Sequence, residues 1–309
     1  MRTTGALLVL AVGLAAAPAA AQPVRPLTFV TFNLFHGGPG AVFTGDDRAL
    51  DRRLAMVARE LRALDADVVG LQEASAGRGR GVVAERLARE LGYQWAFAPG
   101  TASAVPFLGL GHLVVWLMGF SEGPALLSRF PIARHEVHLL PRCRKFFDPR
   151  VLLRAEVTTP WGPLPVFSTH TSHDDCQVRH VAEVVRRHRG GAPSVVMGDF
   201  NATEQAPWMA DLRQAGFVDA FRAANPDTPG HTVWQRVDAP SATVFRRVDY
   251  VFVVPGERTA GRVLQSRVVL DTPGRAEGGG PLWPSDHYGV LARVSVFPDS
   301  STAREGGKD

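Results

Sequence analysis

The sequence predicts an α/β sandwich folded as one domain, and three observations predict it. Strand-like and helix-like segments alternate along most of the 309 residues, the order that builds layered α/β folds. No internal repeat and no linker divides the chain, and this length is enough for one large core. Hydrophobic residues make up 45% of the composition, which excludes disorder for most of the chain.

The first segment stands apart from the fold. Met1 and Arg2 give a positive start, Ala6 to Ala16 an apolar run, and Ala19-Ala20-Ala21 small residues before Gln22. This is the pattern of a secretory signal peptide over residues 1–21. The apolar run is short of the about 20 residues that a membrane span needs, although an uncleaved anchor is the alternative reading. The expected domain covers 22–298, and the polar segment 299–309 is expected to be a disordered tail. A periplasmic or secreted monomer is the expected state.

Leu27 to Leu34 is rich in β-branched and aromatic residues and reads as a strand. Asp46 or Asp47 is placed to cap a helix from Arg48 to Leu64, with Leu50, Leu54, Val57 and Leu61 on one face. Val68 to Leu71 is a buried strand ending in Gln72 and Glu73. Val82 to Leu91 is an amphipathic helix closed by Gly92. Tyr93 to Ala98, Ala125 to Ser128, Leu152 to Thr158 and Leu164 to Thr169 read as strands. His173 to His188 reads as a helix, Ser194 to Gly198 as a buried strand, and Trp208 to Gln214 as a helix after Pro207. Val248 to Val254, Arg262 to Val269 and Tyr288 to Val296 complete the strands. Val105 to Phe120 breaks the rhythm: it is apolar and uncharged where a polar loop belongs. It reads either as an insertion packed on the sandwich or as a surface that meets a membrane or lipid substrate.

The net charge of +4 is mild and scattered, with no dense basic run of the kind that marks a nucleic-acid patch. Arg142, Arg144, Lys145 and Arg150 form the densest group, a solvated loop or a contact for an anionic substrate. Cys143 and Cys176 allow a single intramolecular bridge, or remain two thiols. Neither sits in a C-x-x-C spacing, which argues against zinc there.

The residues able to carry chemistry close hydrophobic strands. Asn33 follows Thr-Phe, and Glu73 ends Val-Val-Gly-Leu-Gln-Glu. His170 ends Val-Phe-Ser-Thr-His. Asp199 and Asn201 end Val-Val-Met-Gly-Asp-Phe-Asn. Asp249 lies in Arg-Arg-Val-Asp-Tyr, and Asp286 and His287 in Pro-Ser-Asp-His-Tyr-Gly-Val. Any one of these is as well explained as a turn former or helix cap. Strand ends of this kind, taken together, point to a site. His36 with Gly37-Gly38 reads as a turn, His180 and His188 as solvated or core-edge residues, and Asp174 and Asp175 as caps. Arg150 reads equally as a phosphate contact or a surface ion pair.

In order, Thr-Phe-Asn, Leu-Gln-Glu, Ala-Leu-Leu-Ser-Arg-Phe-Pro-Ile, Ser-Thr-His, Gly-Asp-Phe-Asn, Arg-Val-Asp-Tyr and Ser-Asp-His-Tyr-Gly-Val resemble the motifs of the endonuclease/exonuclease/phosphatase superfamily. Type I deoxyribonucleases and neutral sphingomyelinases are among its members. The resemblance spans Leu27 to Phe297. It implies a four-layer sandwich, two mixed β-sheets packed face to face and flanked by helices. It also implies a Mg²⁺-dependent phosphoester hydrolase, with Mn²⁺ as a substitute ion. Glu73, with Asn33 and Asp286, would hold the metal, since Mg²⁺ favours few carboxylates and oxygen donors. Asp199 would activate water, Asn201 would bind a phosphate oxygen, and His287 oriented by Asp249 would contact the phosphate. His170, partnered by Glu122, would stand on the leaving-group side. A non-catalytic module on the same fold predicts losses among these residues, and none is lost. The substrate stays open between nucleic acid, lipid and small phosphate ester. Modest basicity speaks against the first, and Val105 to Phe120 would serve the second.

Overall fold

A computed structural model describes residues 24–35, 49–78, 80–100, 113, 115, 117, 119–143, 149–173 and 175–297. The expected signal peptide, the caps at Asp46 and Asp47, the turn at His36, Asp174, the tail, and most of Val105 to Phe120 lie outside them.

The strands in chain order begin with β1 (Leu27–Asn33), β2 (Val68–Gly77), β3 (Gly81–Val82), β4 (Gln94–Phe97) and β5 (Phe120–Ser128). They continue with β6 (Ile132–Leu139), β7 (Val151–Thr159), β8 (Gly162–His170), β9 (Ser194–Asp199) and β10 (Val218–Asp219). The last are β11 (Asp249–Val254), β12 (Arg262–Val269), β13 (Gly274–Arg275), β14 (Pro281–Leu282) and β15 (Gly289–Ser295). The helices are α1 (Leu50–Ala63), α2 (Val83–Leu91), α3 (Asp175–Arg187), α4 (Pro207–Gln214) and the short α5 (Ala220–Ala224).

Two mixed sheets result. One runs β12-β15-β1-β2-β5-β4, with β3 beside β2; the other runs β10-β11-β9-β8-β7-β6. The parallel pairs are β1 with β2 and β8 with β9, the steps that α1 and α3 cross. Period-two alternation then sorts the side chains. Phe29, Val68, Leu126, Val166, Met197, Val251 and Val290 face inward between the sheets. Val30, Phe32 and Leu71 face outward onto Leu54, Val57 and Leu61 of α1 and Leu87 of α2. Phe167, Val196 and Phe252 face outward onto Val178, Val181 and Val185 of α3 and Met209 and Leu212 of α4. The four layers predicted from the motifs are therefore present. Where β2 crosses β9, the sheets touch through Gly70: a Cβ there would sit 2.7 Å from that of Met197, closer than packed atoms tolerate.

Several elements depart from the sequence reading. β6 was not expected. Its Ile-Ala-Arg-His-Glu-Val-His-Leu is mostly exposed at the sheet edge, where charged residues protect open backbone and dilute the hydrophobic signal. β5 begins at Phe120, not Ala125, and so includes Glu122. β2 runs on to Gly77, past a bulge between Leu71 and Ala74. Cys143 and Cys176 form a disulfide, with Cα atoms 6.2 Å apart, that ties the chain after β6 to the start of α3. Among the described residues, no helix is long and apolar enough to cross a membrane.

Candidate active site

The alternation that fills the core also builds the site. Along β1, Leu27 and Phe29 point between the sheets, and so do Thr31 and Asn33. Along β9, Val195 and Met197 lead to Asp199. Val253 and Val251 lead back to Asp249 on β11, and Val166 and Ser168 lead to His170 on β8. The apolar side chains stop at one end of the seam, and the polar ones take their place. His170 is level with Asp199 across the parallel pair, and Asp249 is directly opposite Asp199 across the antiparallel one.

Glu73 has the wrong parity. Gln72 points inward, its Oε1 accepting from the Thr31 hydroxyl at 3.3 Å and its Nε2 donating to Ser168 at 3.4 Å. A regular strand would turn Glu73 outward. The bulge corrects this: Glu73 takes φ +51°, and its carboxylate accepts from Asn33 Nδ2 at 3.2 Å. Phe35 and Asn201 also have positive φ, +49° and +48°. Three such residues at one site are backbone strain held in place by the surrounding structure.

Asn33 joins the two sheets, because its Nδ2 also donates to Asp199 Oδ2 at 3.1 Å. Asp199 Oδ1 accepts from the Asn201 backbone N–H at 2.8 Å. Asn201 Nδ2 donates to the Thr171 carbonyl at 2.8 Å and meets His170 Nε2 at 2.9 Å. The same Nε2 is 3.4 Å from Asp199 Oδ2, so His170 stands between the Asn201 amide and that carboxylate. Both amide hydrogens of Asn201 are thus engaged, and the one facing His170 is the one a phosphate oxygen could take over.

His287 lies between two carboxylates. Its Nδ1 is 2.9 Å from Asp249 Oδ2, and its Nε2 is 3.8 Å from Asp199 Oδ2. Burial alone would depress the imidazole, but Asp249, Asp199 and Asp286 outweigh it and push its pKa up to about 10. Burial and then the charge of Asp249 hold the Asp199 carboxyl well above the usual range, against the opposing pull of His287. Burial raises Asp286 to about 6, with Glu73 adding to the rise and His287 opposing it.

Two clusters here offer metal donors. Asp199, Asp249 and His287 are close enough to share an ion, but the Nδ1 contact at 2.9 Å is a hydrogen bond, and the imidazolium already balances the carboxylates. Glu73 and Asp286 form the better cradle, with Asn33 at its edge, where its Nδ2 faces Glu73 and its Oδ1 accepts from the Phe35 N–H at 3.0 Å. They are hard oxygen donors, and the mutual repulsion of Glu73 and Asp286 is what a divalent cation between them would reverse. The expected catalytic and metal residues thus lie in one cluster across the seam. Glu122, Arg150 and His170 line a single small cleft with Glu73, so Arg150 belongs beside the site. His180 lies on α3, and its nearest acid is Glu183 at 3.5 Å.

Two supporting residues escaped the sequence reading. Arg53 is buried beneath the site, donating to the carbonyls of Leu34 (2.7 Å), Phe35 (2.7 Å) and Pro284 (3.2 Å). It ties the backbone after Asn33 to the backbone before Asp286. Its signal was visible: an arginine one turn from Leu50 and Val57 on the apolar face of α1. Thr232 Oγ1 accepts from the Val248 and Asp249 N–H groups at 3.2 and 3.4 Å. At the rim, Val233 bridges both His287 and Arg246, which places the exposed Trp234 and Phe245 beside the site. They line a groove of about 580 Å³ with Arg236, Pro240 and Thr243.

Comparison with protein-family profiles matches residues 30–287 to the Endonuclease/Exonuclease/phosphatase family. The chain belongs to this family. Its members are metal-dependent phosphoester hydrolases, and this chain is one of them. No curated protein matches it. Solved structures share the fold at low identity. An endonuclease/exonuclease/phosphatase from Beutenbergia cavernae aligns at 23% identity and TM-score 0.63, over 89% of this chain and 72% of its own. The mannosyl-6-phosphatase of Bacteroides thetaiotaomicron aligns at 18% and 0.64, over 87% and 99%. Truncated TDP2 of Caenorhabditis elegans aligns at 17% and 0.60, over 87% and 97%.

Proposed function

We propose that this family member is an exported, monomeric, Mg²⁺-dependent phosphodiesterase. The observation that carries the reading is the joining of two polar sets across the seam: Asn33, Glu73 and Asp286 from one sheet, and His170, Asp199, Asn201, Asp249 and His287 around the other. Glu73 and Asp286, with Asn33 beside them, would hold Mg²⁺, which would supply polarisation of a phosphoryl oxygen and neutralisation of its charge. Asp199, with a raised pKa, orients the attacking water and takes its proton. The His287 imidazolium, held by Asp249, binds a phosphoryl oxygen. Asn201 gives that phosphate the hydrogen it now shares with His170. His170, in the cleft with Glu122 and Arg150, serves the departing oxygen. Export rests on the N-terminal sequence pattern.

A diester has an organic group on each side of phosphorus, and the aromatic groove at Trp234 and Phe245 suits one of them. Within diesters, lipid substrates are favoured by Leu113 and Leu117. They are 50% and 61% exposed just before β5, the strand that carries Glu122. The test is one activity panel in Mg²⁺ and in EDTA: plasmid DNA, RNA, sphingomyelin and glycerophospholipid vesicles, and phosphate monoesters. Diester turnover abolished by EDTA is the expected result, and Leu113→Ser with Leu117→Ser should then lower vesicle turnover alone. Turnover confined to monoesters would overturn the diesterase reading, and turnover confined to nucleic acid the lipid one.

A further inference from the structure

A second group of metal-type donors lies on the far face of the other sheet, away from the active site. Edge strand β6 alternates, so Glu136 and His138 project from the same face, toward α3. His188 follows the last turn of α3. The two imidazole rings meet edge to face, centroids 5.1 Å apart. His188 Nε2 is 3.3 Å from Glu136 Oε2, and His138 Nε2 is 3.7 Å from the same oxygen. All three ligand atoms lie within 4.8 Å of one another.

Hydrogen bonding shows what these atoms face. His188 Nδ1 is 2.9 Å from the Val184 carbonyl, which can only accept, so the ring proton sits on Nδ1. The other ring nitrogen of His188, Nε2, is the one that faces the Glu136 carboxylate. His138 Nε2 is shut off from water and has no hydrogen-bond partner. Arg154 occupies the other carboxylate oxygen, Oε1, at 3.0 Å, and so fixes Glu136 while leaving Oε2 to the histidines. Three possible ligand atoms converge, and a cation placed between the two Nε2 atoms and Oε2 would be within reach of all of them. The spacing fits an ion: donors about 2.0–2.1 Å from a tetrahedral metal lie about 3.4 Å apart.

We infer that Glu136, His138 and His188 form a Zn²⁺ site that clamps edge strand β6 to the end of α3. Two imidazoles and one carboxylate suit zinc, leaving a fourth position for water. The Val184 carbonyl supplies the outer contact that orients a ligating histidine. Hard ions such as Mg²⁺ prefer the all-oxygen cradle at Glu73, so the two sites sort their metals by ligand type. With the Cys143–Cys176 bridge at the opposite end of α3, the clamp would fasten this helix at both ends to the segment around β6.

The experiment titrates Zn²⁺ into the whole protein in saturating Mg²⁺, by calorimetry and by X-ray absorption at the zinc edge. One zinc per chain with two imidazole nitrogens in its shell is expected. His138→Ala with His188→Ala, and separately Glu136→Gln, should weaken this binding by roughly 10- to 100-fold or more. Glu73→Gln should leave it unchanged, which separates the site from the catalytic metal. Zinc should raise the melting temperature of the wild type and not of the double variant. Circular dichroism intact in every variant, and Mg²⁺-dependent hydrolysis intact in the His138/His188 and Glu136 variants, exclude misfolding. Absence of zinc binding, equal affinity in the double variant, or loss of binding in Glu73→Gln would each overturn the assignment.

Discussion

At the scale of single residues, the site is a balance of charge. His287 keeps its proton because Asp249 and Asp199 flank it, although burial works against this. Remove Asp249 and burial gains. In Asp249→Asn the alkaline limb of kcat/KM, which reports the free enzyme, should therefore move to lower pH. An unmoved limb would show that another group sets it. Asp249→Asn combined with His287→Ala should be little worse than His287→Ala alone, because the pair acts as a unit. The same shift has a stability sign. The folded state holds this proton more tightly than the unfolded chain does. Its contribution is complete below about pH 6.5, the unperturbed histidine value, and is lost as the pH rises to about 10. On the metal side, Glu73→Gln preserves shape but removes a ligand charge. Hydrolysis should fall by roughly 10²-fold or more and recover in part at high Mg²⁺. Activity equal to wild type in EDTA would remove the metal from the mechanism.

At the scale of elements, the strand ends were legible because each closes a hydrophobic run with a residue that has no place in a core. Asn33, His170 and Asp199 have the inward parity of the residues before them, and Asp249 that of Val251 and Val253 after it, so alternation alone aims them. Glu73 does not, and no periodicity shows a bulge that adds one residue against β5. Its place in the site follows from pairing between strands far apart in sequence. Strand β6 was hidden for a related reason: an edge strand is selected for polarity, so its pattern resembles a loop. Arg53 was legible in principle as a charge on an apolar helix face, but its three carbonyl partners exist only once α1 packs beside Leu34 and Pro284. Arg53→Met keeps the buried stem and removes the donors, leaving three carbonyls in want of partners. It should cost about 1–3 kcal/mol in denaturant unfolding and raise the Mg²⁺ concentration needed for half-maximal activity. Loss of stability with unchanged metal dependence would confine Arg53 to a structural part.

At the scale of the whole molecule, the sandwich holds its sheets in contact where Gly70 meets Met197. Gly70→Ala places a methyl in a gap too narrow for it. Overpacking of this kind costs roughly 1–3 kcal/mol, and here activity should fall by more than the stability loss explains. The reason lies in how the seam ends. Asn33 reaches from one sheet to Asp199 on the other at 3.1 Å, so the reactive groups are gripped by two independent slabs. Such a site works as a caliper. A slip of about an ångström between slabs, too small to melt a strand, pulls its jaws out of alignment, and misplacement on that scale can cost about 10²-fold in rate. In a urea series the catalytic signal should therefore vanish before far-ultraviolet ellipticity changes, with coincident curves as the contrary result. Turnover in this enzyme then measures how tightly its two halves are shut.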